Sequence, residues 1–176
     1  MKKRLAFWWI AANMLAWTVG IVFVLPGFWA WIVCGALVGT AQWLVLRRRL
    51  RLSPAWIAAT CLAWTVGIWA GHMHSDDFFK LPNFYWIFLT GGALAGLAQS
   101  CLLWNRGSRP GLWTPSMAAG SILGFVLCRW VLLLFGEINS PAVLTAGAII
   151  GAVSGAVSTA QLLAMLRHPK PRQEAA

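Results

Sequence analysis

The chain predicts an all-α transmembrane protein: a six-helix bundle made of three parallel helical hairpins, with approximate three-fold pseudo-symmetry along the membrane normal. Three observations carry this. Of 176 residues, 60% are hydrophobic and only 10% are charged, where a soluble domain of this size carries roughly a quarter charged residues. The apolar runs are each about 18 to 25 residues long, enough to cross a hydrocarbon layer of about 30 Å at 1.5 Å per residue. And one helical device returns three times: Gly35, Gly39 and Gln42 before Arg47; Gly92, Gly96 and Gln99 before Arg106; Ser154, Ser158 and Gln161 before Arg167.

A basic head, Lys2-Lys3-Arg4, precedes the first run, Leu5 to Leu25, which ends at Pro26-Gly27. It resembles a signal peptide in outline. However, Leu15-Ala-Trp-Thr-Val-Gly-Ile21 recurs letter for letter as Leu62-Ala-Trp-Thr-Val-Gly-Ile68, so it reads as a retained first helix. The second helix spans Phe28 to Leu46. Ser53-Pro54 opens the third, because proline is tolerated in a first helical turn. The third ends near His72, and a polar link to Asn83 follows. The fourth runs from Phe84 to Trp104, the fifth from Thr114 to Phe135 and the sixth from Pro141 to Leu166. The hairpins are then about 1–49, 50–107 and 108–166, forming one domain, with 167–176 a disordered cytoplasmic tail.

Charge fixes the expected topology. The net charge is +10, and twelve of fourteen Lys/Arg lie in four clusters: Lys2, Lys3, Arg4; Arg47, Arg48, Arg49, Arg51; Arg106, Arg109; and Arg167, Lys170, Arg172. Six spans put all four on one side and Asp76, Asp77, Lys80 and Glu137 on the other. That is a positive-inside pattern, with both termini cytoplasmic and the chain a multi-pass protein of the inner (plasma) membrane. The expected partners are the bilayer, including anionic lipid heads, and other membrane proteins; nucleic acid is not expected. Trp8, Trp9, Trp43, Trp56, Trp104 and Trp113 read as an inner aromatic belt. Trp29, Trp31, Trp69, Trp86 and Trp130 read as an outer one, leaving Trp17 and Trp64 at mid-depth.

Aligned on their glycines, the odd helices match Trp9 with Trp56 and Trp113, Trp17 with Trp64 and Ser121, and Gly20 with Gly67 and Gly124. Lipid tails are as apolar as Leu, so helices associate through close backbone contact at small residues. Gly35, Gly39, Gly92, Gly96, Gly151 and Gly155 are the expected contact sites, and the even helices the more tightly packed ones. The four cysteines fall inside apolar runs without CxxC spacing and read as small packing residues.

Candidate sites are few. Gln42, Gln99 and Gln161 must find partners inside the membrane. They read either as interhelical glue or as a ring of amides binding an ion, a polar head group or a pigment's metal. Arg129 lies within a span; it reads as snorkelling to pair with Glu137, Asp76 or Asp77, or as an anion contact in a cavity. His72, His74 and Asp76 are weak metal candidates, since i, i+2 spacing matches no known metal pattern. No P-loop, HExxH, GxGxxG or Ser-His-Asp order appears, so neither an enzyme nor a resident cofactor is expected.

The motif GxxxGxxQWLVLRRR, followed by a Trp-led helix, resembles a family of small Trp/Gly-rich bacterial multi-spanning membrane proteins of unassigned activity, in which the hairpin recurs in tandem. The resemblance implies architecture and donates no functional residue. The third copy departs from it at Ser121, Ser154 and Ser158. Three function classes are therefore open: a non-enzymatic structural or accessory subunit, a small transporter or channel using Arg129 and the Gln set, or a binder of lipid, quinone or pigment.

Overall fold

The structure, a computed structural model, describes residues 2–24, 28–72, 81–104, 110–135 and 140–167. It consists of six long helices: α1 (Lys2–Val24), α2 (Phe28–Leu50), α3 (Ala55–His72), α4 (Leu81–Leu103), α5 (Trp113–Phe135) and α6 (Ser140–Arg167). There are no strands among the described residues. Among the described residues, four segments are long and apolar enough to cross a membrane: Lys2–Val22, Tyr85–Leu103, Pro110–Leu134 and Pro141–Arg167. α3 is the shortest of the six at 18 residues, and α2 carries Arg47, Arg48 and Arg49 in its last turn.

Each helix packs against its sequence neighbours, and α6 returns onto α1, so the contacts form a closed ring. Glycine lets the backbones approach at every step. Going from even to odd helix, a Cβ on Gly39 would stand 3.1 Å from Ile57 Cα of α3. One on Gly96 would stand 2.7 Å from Thr114 Cα of α5, and one on Gly155 would stand 3.0 Å from Ile10 Cα of α1. Gly35, Gly92 and Gly151, one turn earlier, meet Cys61, Ser121 and Met14 on the same three helices. Going from odd to even helix, Gly20 meets Cys34, Gly67 meets Gly91, and Gly124 meets Ile150. The expectation that the even helices pack more tightly thus needs correcting, because the odd helices contribute glycine seams of their own. Such seams supply dispersion contact that a Cβ would block.

These contacts also correct the register of the third hairpin. Matching Gln161 to Gln42 pairs Ser154 and Ser158 with Gly35 and Gly39. The contacts instead put Gly151-Ala-Val-Ser-Gly155-Ala-Val-Ser158 in the role of Gly35-Ala-Leu-Val-Gly39-Thr-Ala-Gln42. The frame is three residues off because only glycine fits where the backbones meet.

Two clusters fill the interior. One joins Leu5, Trp9, Leu46, Trp56, Leu103, Trp113 and Leu162. These residues lie near the starts of the odd helices and the ends of the even ones. Lys2, Lys3, Arg4, Arg47, Arg48, Arg49 and Arg167 therefore lie at one end of the ring. The other cluster joins Trp17, Trp31, Trp64, Phe88, Phe125 and Ile150 further along. Away from that basic end the exposed large side chains are apolar among the described residues: Leu134 is 85% exposed and Leu15 65%.

The tryptophans read as aromatic belts divide by exposure. Trp8, Trp104, Trp69, Trp86 and Trp130 are exposed, whereas Trp9, Trp56, Trp113 and Trp31 are buried. Interfacial preference was the wrong principle for these four, which pack inside the ring. The side chain of Trp29 is outside the described residues.

The α2–α3 link is short. Leu50 ends the helix and Arg51 takes a left-handed φ of 49°, a position at which glycine is usual. Trp43 Nε1 donates to Leu52 O at 3.0 Å, and the Arg47 guanidinium lies 4.9 Å from the Trp43 ring centre. Backbone bonds Trp56 N to Ser53 O and Ile57 N to Pro54 O then start α3.

Candidate functional site: a buried amide and indole network

The principal polar site lies inside the first cluster. Gln42 on α2 and Gln99 on α4 are 0% exposed. Each faces the tryptophan that opens the next helix. Trp56 Nε1 donates to Gln42 Oε1 at 3.3 Å, and Trp113 Nε1 donates to Gln99 Oε1 at 2.7 Å. Around the ring, Trp9 Nε1 of α1 donates to Ser158 Oγ of α6 at 2.9 Å. An indole offers a single donor and no acceptor, so each such bond satisfies its tryptophan fully.

The amide N–H groups reach across the interior. Gln42 Nε2 donates to Asn13 Oδ1 at 2.8 Å. Gln99 Nε2 donates to Gln42 Oε1 at 2.9 Å and to Thr60 Oγ1 at 2.8 Å. Asn13 Nδ2 donates to Trp9 O, and Thr60 Oγ1 to Trp56 O, both at 2.8 Å. Side chains of α1, α2, α3, α4 and α5 thus form one connected set. Four-residue spacing puts Asn13 and Thr60 directly above Trp9 and Trp56 on their helices. The indoles also touch edge to face, with Trp113 centred 5.7 Å from Trp9 and 6.3 Å from Trp56.

Gln42 and Gln99 therefore come together, and their hydrogen-bonding atoms face neighbouring side chains. Gln161 is buried on α6, one turn beyond Ser158. The recurrence of Trp9, Trp56 and Trp113 was the signal for their role, and the reading of them as belt residues missed it. Asn13 had no such signal.

The second cluster is aromatic and less satisfied. Trp17 and Trp64 meet edge to face at 4.9 Å, and Phe88 stacks on Phe125 at 4.9 Å. Trp31 Nε1, Trp64 Nε1 and Ser121 Oγ are buried without a hydrogen-bond partner among the described residues.

The other candidates stay apart. Arg129 is half-buried on α5, six residues before the helix ends, with no ion pair or hydrogen bond among the described residues. Glu137, His74 and Asp76 lie outside the described residues, as does the side chain of His72. No group of three metal-ligating side chains occurs among the described residues. The four cysteines are free; Cys34 and Cys128 are buried, and Cys101 is exposed. Comparison with protein-family models, curated proteins and solved structures found no match to this chain.

Proposed function

We propose that the chain is an integral membrane protein built from three copies of one helical hairpin around an axis along the membrane normal. Both termini face the cytoplasm of a bacterium. It serves as a non-enzymatic structural or accessory subunit. The repeat is supported by the equivalent contacts made by Gly39, Gly96 and Gly155 and by the equivalent indole bonds. Membrane insertion is supported by an exterior that is apolar away from the basic end, with the amide and indole network turned inward.

The observation that carries the functional reading is that Gln42 and Gln99 bond to each other and to indoles at 0% exposure. A permeating ion needs polar groups free to replace its water shell. Here those groups hold helices together, and stacked aromatic rings fill the interior beyond them. The test is reconstitution into liposomes with proton, potassium and chloride flux assays. The expected result is flux no greater than in protein-free liposomes, together with a stoichiometric membrane-protein partner retained in mild detergent. Flux that Gln99→Leu abolishes would overturn the reading.

The half-buried Arg129 favours a second reading, a small carrier with an anion contact on α5. Anion uptake by wild-type protein that is lost in Arg129→Ala would favour it over the first.

A further inference from the structure

We infer that the α1–α2 face is a binding site for one anionic glycerophospholipid of the leaflet at the basic end. The inference rests on the membrane reading above. A groove of about 480 Å³ runs between the two helices, lined on α1 by residues from Trp8 to Val19 and on α2 by residues from Leu37 to Val45. Its floor is made of small side chains, Ala11, Ala12, Ala16, Thr40 and Ala41, between the larger Trp8, Leu15 and Leu44. No charged residue lines it.

Length and charge name the occupant. From Trp8 to Val19 is eleven residues, about 17 Å along the helix, close to half of a hydrocarbon core of about 30 Å. One acyl chain of one leaflet fits that depth. At the mouth, Arg4 stands one turn before Trp8, and Arg48 and Arg49 stand one turn after Leu44 and Val45. Residues four apart share a helix face, and all three arginines are exposed. Two helices thus place guanidinium groups where the phosphate of a lipid seated in the groove would lie, and arginine binds phosphate through paired N–H donors. The second hairpin has Ala55 where the first has Trp8, and Leu97 where it has Thr40. The third has Ser108 where the first has Arg4, and Ala164 where it has Arg48, so the site belongs to the first hairpin.

The test is native mass spectrometry of the full chain in detergent, titrated with dioleoylphosphatidylglycerol or dioleoylphosphatidylcholine. The expected result is one tightly retained phosphatidylglycerol. Each near-surface cation contributes about five-fold in affinity, so Arg4→Gln with Arg48→Gln weakens phosphatidylglycerol about twenty-five-fold and leaves phosphatidylcholine much less affected. Thr40→Leu fills the groove and displaces both lipids, and α4 already tolerates Leu97 at the matching position. Ala41→Val is the milder second variant, and circular dichroism melting verifies that both variants fold.

Equal retention of the two lipids, an unchanged Arg4→Gln/Arg48→Gln variant, or unchanged binding in the folded groove-filling variants would overturn the proposal. So would displacement of phosphatidylglycerol by equimolar decylubiquinone. Carbonate extraction separates the two levels: release of the protein refutes membrane insertion itself, while retention without lipid selectivity refutes only this site.

Discussion

Replacing Gln99 by Leu removes the amide that joins three helices while keeping a side chain of similar bulk. Three hydrogen bonds are lost, to Gln42 Oε1, to Thr60 Oγ1 and from Trp113 Nε1. Interhelical bonds in lipid average about 0.6 kcal/mol, so together they contribute about 2 kcal/mol. The larger consequence is what remains. Thr60 still donates to Trp56 O, and Gln42 still accepts from Trp56. Trp113, 0% exposed, is left with a buried N–H and no acceptor, which costs a further 1 kcal/mol or about that. The expected destabilisation is about 3 kcal/mol, read as the shift of reversible unfolding in mixed micelles with increasing dodecyl sulfate, followed by circular dichroism. A cycle with Trp113→Phe isolates the pair. The double variant should cost at least about 1 kcal/mol less than the sum of the singles, since neither group is then orphaned. A single variant within about 0.5 kcal/mol of wild type, or an additive cycle, would refute the view that the amides hold the ring together.

Three further outcomes follow from the same contacts. Gly39→Leu and Gly96→Leu should each destabilise by about 3 kcal/mol or prevent assembly, since the added side chain meets backbone of α3 or α5; Leu37→Ile should cost under about 1.5 kcal/mol, both read by thermal melting in detergent. Arg51→Gly should stabilise by about 1 kcal/mol in the same assay, because glycine removes the strain of the left-handed conformation at φ 49°. Ser158→Ala should cost about 1 to 2 kcal/mol by orphaning Trp9 Nε1, and Ser158→Thr should restore most of it.

Much of this arrangement was legible in the residues. Close backbone approach leaves few choices but glycine, so Gly35, Gly39, Gly92 and Gly96 announced their contacts. A buried amide needs partners, so Gln42 and Gln99 announced theirs. The third hairpin misled because α6 carries two ladders of small residues, and the letter Gln161 selected the wrong one. A three-residue shift turns a helix face by only about 60°, too little for the apolar pattern to object, whereas backbone contact at Gly151 and Gly155 decides it. The tryptophans misled because adjacent residues face different ways. Trp8 is 53% exposed and Trp9 0%. Recurrence was the discriminating sign: Trp9 has partners in Trp56 and Trp113, while Trp8 aligns with Ala55 and Leu112.

The most direct test is sidedness of labelling. Single cysteines at Arg4, Arg48, Arg167 and Lys80, in a background with Cys34, Cys61, Cys101 and Cys128 replaced by Ala, are exposed to an impermeant maleimide in sealed vesicles of known orientation. Positions 4, 48 and 167 should react together from the cytoplasmic face and position 80 from the other. Reaction of any of the first three with position 80 would mean that the hairpins do not enter the membrane alike.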